Sequence, residues 1–133
     1  MKLTSAAVLL VLLLAAGCGG DDSSFTEGYN KAVQPLSRLG QGMGSRPREF
    51  ARLAEGTRQT RDNLAKLDPP EGAKDEFEAL LARLDEVIAD LDSVAKSGRT
   101  GDVVKQRQAA EDLVKSSTAV ERAETALKQA VEG

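Results

Sequence analysis

The chain has 133 residues, a formal net charge of −3, one cysteine, one tyrosine, three phenylalanines, and neither histidine nor tryptophan. That length allows one domain, and a lone cysteine excludes an internal disulfide and any zinc-finger spacing. Without histidine the chain lacks the commonest general base and metal ligand, which removes Ser-His, Cys-His and zinc-hydrolase chemistry.

Met1 and Lys2 form a short positive start, followed by an unbroken apolar run from Ala6 to Ala16 and then Gly17, Cys18, Gly19 and Gly20. A helix of that length covers roughly 17 Å, about half of a hydrocarbon core, so it suits a signal-peptide core rather than a span. The segment Leu14-Ala15-Ala16-Gly17-Cys18 resembles the lipobox of bacterial lipoprotein signal peptides, with Ala15 where leucine is usual and Leu14 one place further out. The resemblance implies cleavage between Gly17 and Cys18, with Cys18 becoming an S-diacylglycerol, N-acylated terminus. More than one acyl chain holds a protein firmly, whereas one alone binds marginally. Residues 1–17 are therefore expected to be removed, and 18–23 to be a flexible tether reaching no more than about 25 Å from the lipid. Residues 24–133 remain to form the folded domain.

Four helical stretches follow. Ser24-x-x-Glu27 reads as a capping box, after which Phe25, Tyr29, Ala32, Val33, Leu36, Leu39 and Met43 recur at helical spacing. Pro35 predicts a kink, and Gly40, Gly42 and Gly44 end the stretch. The second helix is expected to open near Ser45, as cap, to Pro47, with Phe50, Leu53, Ala54, Thr57, Thr60, Leu64 and Leu67 on one face. Asp68-Pro69-Pro70 closes it.

The third helix carries Ala73, Phe77, Leu80, Leu84, Val87, Leu91 and Val94 at alternating four- and three-residue spacing, widened by Leu81 and Ile88. Ser97-Gly98 and Thr100-Gly101 end it, and a fourth helix from about Asp102 to Val131 presents Val103, Ala110, Leu113, Ser117, Val120, Leu127 and Val131. Residues 45–67 hold six positive and three negative side chains, residues 68–97 three and nine, so the second and third helices attract as an antiparallel hairpin. The expected fold is all-α, an up-and-down four-helix bundle, with Phe25, Tyr29 and Phe77 clustered at one end and Phe50 at the other.

The acidic residues Glu71, Asp75, Glu76, Glu78, Asp85, Glu86, Asp90 and Asp92 fall mostly off the apolar stripe and read as a solvated face rather than a metal site. The basic residues Arg46, Arg48, Arg52, Arg58, Arg61 and Lys66 are interrupted by Glu49, Glu55 and Asp62 and are too dispersed for nucleic acid. Met43 alone cannot hold haem, so no cofactor is expected. Thr57, Thr60, Gln106 and Ser117 interrupt the apolar stripes. Hydroxyls in that setting either bond back to their own helix or line a small polar cavity between helices.

Beyond its first residues the chain resembles the small helical lipoproteins common in actinobacteria, through Gly17-Cys18-Gly19-Gly20 and the Leu64-x-x-Leu67-x-Pro69-Pro70 hinge. The resemblance implies an extracytoplasmic, lipid-anchored location at the cell membrane and carries no substrate or partner with it. The expected function is a non-enzymatic binding or scaffold module at the cell envelope, with a protein as partner. The alternative is an extracytoplasmic small-molecule or ion-binding protein using the Thr57/Thr60 region.

Overall fold

The long apolar stripe of the third stretch organises the chain. In the computed structural model, which describes residues 22–40 and 46–133, four helices run in order: α1 (Asp22–Gly40), α2 (Pro47–Leu64), α3 (Lys74–Thr100) and α4 (Val103–Glu132). A 3₁₀ turn at Glu71–Ala73 leads into α3, and no strand occurs among the described residues. Phe77, Leu80, Leu84, Val87, Ile88, Leu91 and Val94 are all buried, as their spacing predicts. Burying each such side chain contributes about 1.5–3 kcal/mol, so α3 alone supplies much of the cohesion.

Consecutive helices pack side by side, α1 on α2, α2 on α3 and α3 on α4. Their directions alternate. Along the α2–α3 seam Pro47 lies against Gly98, Arg58 meets Asp92 at 3.1 Å, and Arg61 meets Asp85 at 3.1 Å, an order that only antiparallel helices give. Leu67, just past α2, covers Gly28 of α1, and the far end of α4 packs on the 3₁₀ turn before α3. The result is an all-α up-and-down bundle. The expected attraction between the basic second helix and the acidic third is realised in those two Arg–Asp pairs, although exposed pairs contribute only ~0–1 kcal/mol each.

The breaks differ in detail from the sequence reading. α1 begins at Asp22, so the last two residues assigned to the tether are helical and Ser24 lies inside the first turn rather than capping it. The helix also runs through Pro35 without interruption. Pro35 is exposed, and its neighbours Val33 and Leu36 are buried in the core, so packing holds the turn whose hydrogen bond proline removes. Ser45 and Met43 lie outside the described residues.

α2 is capped at Arg46, whose N–H donates to the Glu49 carboxylate at 3.0 Å, with Pro47 as the first helical residue. α3 continues past Ser97-Gly98 to Thr100, and Gly98 faces Pro47 so closely that an added methyl would sit 2.9 Å from its Cγ. Gly101 then ends it with φ +71°, a left-handed conformation that glycine adopts without strain. Asp102 caps α4 by accepting from the Lys105 N–H at 3.0 Å.

The cluster expected at one end is present. Phe25 and Phe77 meet edge to face at 5.4 Å between ring centroids, and Tyr29 lies 6.2 Å from Phe25. Such geometry places a positive ring edge on a negative ring face.

Replacing Leu80, which has no exposed surface, with alanine is expected to cost about 2–5 kcal/mol in urea unfolding followed by circular dichroism. Val104→Ala, at a site 79% exposed, is expected to change stability by less than about 0.5 kcal/mol. Equal losses at the two positions would contradict the assigned core.

Candidate functional site

Of the four polar residues along the stripes, two are buried on α2 and two lie on α4. Thr57 has no exposed surface, and its hydroxyl donates to the Leu53 carbonyl of its own helix at 2.7 Å. Thr60 is buried one turn later on the same helix. Gln106 is exposed on the first turns of α4, beside Gly98, and Ser117 is half-buried with an Oγ that has no hydrogen-bond partner. Thr57 therefore follows the back-bonding pattern open to buried hydroxyls, and Gln106 faces solvent rather than an enclosed space.

The first half of the α4 stripe is turned relative to the expected one. Leu113, Val120 and Leu127 are buried as predicted and Val131 packs against the core, but Ala109 and Ser116 are buried in place of Val103, Ala110 and Ser117. Val103 is 66% exposed, and Val104 and Val114 are exposed with it. Small side chains at Ala109 and Ser116 let α4 lie close against α3, and that close approach selects the side of the helix that turns inward.

The last turns of α4 keep the expected face and carry a carboxyl into the core. Glu124 is 6% exposed, and its Oε1 accepts a 3.0 Å hydrogen bond from the Tyr29 hydroxyl, 95 residues away on α1. Its second oxygen, Oε2, is buried without a hydrogen-bond partner. Tyr29 is 1% exposed and also packs against Phe25. This pair joins the first helix to the last, and sequence reading missed it. The signal was present, because Glu124 continues the seven-residue series Val103, Ala110, Ser117 and is followed in it by Val131.

The chain matches no family model, no curated protein and no solved structure.

A half-satisfied buried carboxyl resists ionisation, since removing an anion from water costs more than one hydrogen bond returns. Burial raises Glu124 from an ordinary value of 4.5 to about 7; the Tyr29 bond opposes the rise and the Glu121 carboxylate one turn earlier adds to it. The Tyr29 phenol is likewise pushed up, by burial first and then by the charge and hydrogen bond of Glu124.

The remaining ionisable groups among the described residues are exposed or half-buried. The acidic residues of α3 are exposed or, at Glu76 and Asp90, half-buried, and no group of carboxylates or cysteine among the described residues is arranged to hold a metal ion. Arg58 bridges Glu55 at 2.8 Å and Asp92, so part of the basic set is neutralised within the bundle. No described helix is long and apolar enough to cross a membrane.

A carboxyl whose folded pKa lies above its unfolded value binds its proton more tightly in the folded state. Its contribution is complete below the unfolded value, and is lost as pH rises from about 4.5 to about 7. The chain should thus melt higher near pH 5 than near pH 8, with a span of up to about 3 kcal/mol. No histidine is present to titrate in that window. Glu124→Gln, which keeps the acceptor and cannot ionise, is expected to flatten the profile and raise stability near pH 8. An unchanged slope in the variant would assign the pH dependence elsewhere.

Tyr29→Phe removes the one donor to Glu124 among the described residues and should cost about 1–3 kcal/mol, read as a lowered urea midpoint. Thr57→Val, which deletes a hydroxyl bonded within its own helix turn, should change the midpoint far less.

Proposed function

We propose that the protein is a lipid-anchored, extracytoplasmic, non-enzymatic helical module that binds or scaffolds an envelope protein. The observation that carries this reading is the segment Leu14-Ala15-Ala16-Gly17-Cys18 directly after an eleven-residue apolar run, Ala6 to Ala16. A peptidase needs small residues around the bond it cuts, and the thiol of Cys18 is the acceptor that a diacylglyceryl transfer requires. Cys18 lies outside the described residues, so this reading rests on the sequence pattern.

The outer faces of the bundle support a protein rather than a small molecule as the bound partner. They carry separated acidic and basic residues along α2 and α3, and those exposed charges set orientation and encounter rate more than affinity. Anchoring to a surface raises the effective concentration for neighbours on the same membrane, so a weak interface suffices. The lack of histidine, and of any motif setting a base beside a hydroxyl, favours binding over catalysis.

Cells fed a labelled palmitate analogue should label the wild-type protein and not Cys18→Ala, and the variant should move from the membrane to the soluble fraction. In-cell crosslinking with mass spectrometry should give a discrete envelope adduct that depends on Cys18. An unlabelled wild-type protein would overturn the anchor. Labelled protein without a discrete adduct would overturn the adaptor role and leave a spacer.

A further inference from the structure

We propose that the end of the bundle formed by the starts of α2 and α4 and the end of α3 is a lipid-docking tip, which sets Val103 and Val104 into the headgroup layer of an anionic membrane and surrounds them with basic side chains. The tip deepens the anchored reading of the protein and rests on it, since so small a contact holds only a bundle that a tether already keeps near the surface.

Exposed apolar surface is concentrated at this end. The exposed large apolar side chains among the described residues are Val103, Val104 and Val114, all on the first half of α4. Val103 and Val104 are 66% and 79% exposed and open the helix directly after the Gly101–Asp102 corner. As neighbours on a helix they project in two directions from the end of the bundle. Apolar side chains that diverge in this way offer a folded partner no single flat face, whereas a fluid headgroup layer closes around both.

The charges around the two valines select an anionic surface. Gly98 lies against Pro47 and beside Gln106, so residues 46–52 and 96–107 share one end of the bundle. Those segments hold seven basic side chains, all exposed, with Arg46, Arg48, Arg99, Lys105 and Arg107 among them, and only two acids. Both acids are half-buried and accept backbone N–H groups at helix starts, Glu49 from Arg46 and Asp102 from Lys105. The one ion pair in this set among the described residues joins Lys105 to Asp102 at 3.8 Å. Lipid headgroups attract every basic side chain within a Debye length and need no fixed pairing geometry.

The opposite end carries the opposite sign. Residues 62–78 hold six acidic and two basic side chains. α1 begins at that end, with Phe25 on Phe77 and Gly28 under Leu67. A tether ahead of α1 therefore enters at the acidic end, which an anionic surface repels, and the basic end is the one drawn down. α4 spans about 45 Å between the two ends. Tether and tip reach the same membrane when the bundle lies along it.

The composition provides a direct probe, because the chain has no tryptophan. Full-length Val104→Trp protein, purified from membranes in detergent, would be returned to vesicles of phosphatidylcholine alone or with about 30% phosphatidylglycerol. Comparing the two cancels the preference of tryptophan itself for interfaces. The protein is expected to float with both. Its emission should shift to the blue by about 10 nm in the anionic vesicles only, with about twofold or greater quenching by brominated lipid there. Salt at about 0.5 M, or reversal of Arg99, Lys105 and Arg107 to glutamate, should return the emission to its value in phosphatidylcholine. Protein floated on both vesicles with the same emission in each would overturn the tip and leave the anchor. Protein floated on neither would overturn the anchor and the tip that rests on it. A shift on adding polyglutamate, with none in anionic vesicles, would assign the surface to an acidic protein and overturn the lipid.

Discussion

Burial of the α3 stripe is the constraint from which the rest of the bundle follows. Seven apolar residues from Phe77 to Val94 lie at helical spacing along one side, and water can be removed from them only by other helices. The link after α2 brings that helix back along one flank of α3, and the two-residue corner at Gly101 and Asp102 brings α4 back along the other. α1 then covers the aromatic end, with Phe25 set edge-on against Phe77. Hydrophobic burial is non-directional, so the turns choose the topology and the stripe supplies the driving force.

Electrostatics refines this arrangement without creating it. Arg58 and Arg61 on α2 reach Asp92 and Asp85 on α3, and the opposite excess charges of the two helices make that pairing more favourable than a like-charged one. These contacts are solvated and weaken with salt. Glu124 obeys different physics. It sits where water is scarce, and a single hydrogen bond from Tyr29 must stand in for a hydration shell. Burial favours its neutral form, so ionisation works against the fold.

Much of the fold was legible in the residues themselves. Helical spacing, proline and glycine positions and the charge bias between residues 45–67 and 68–97 determined four helices, their order, the α2–α3 hairpin and the Phe25/Tyr29/Phe77 cluster, because each depends on local pattern or on short links. The beginning of α1, its passage through Pro35 and the rotation of α4 were not local matters. An alanine-rich helix with a thin stripe can turn either of two sides inward, and the choice belongs to the surface it meets; Ala109 and Ser116 fit against α3 and Val103 is left in solvent. Towards its end α4 keeps the expected face, and that sets Glu124 under Tyr29 across 95 residues of chain. The amino-acid order by itself determined which helices form and what they can bury. Only tertiary packing decided which polar group would be buried with them, because desolvation is a property of neighbours and not of sequence position.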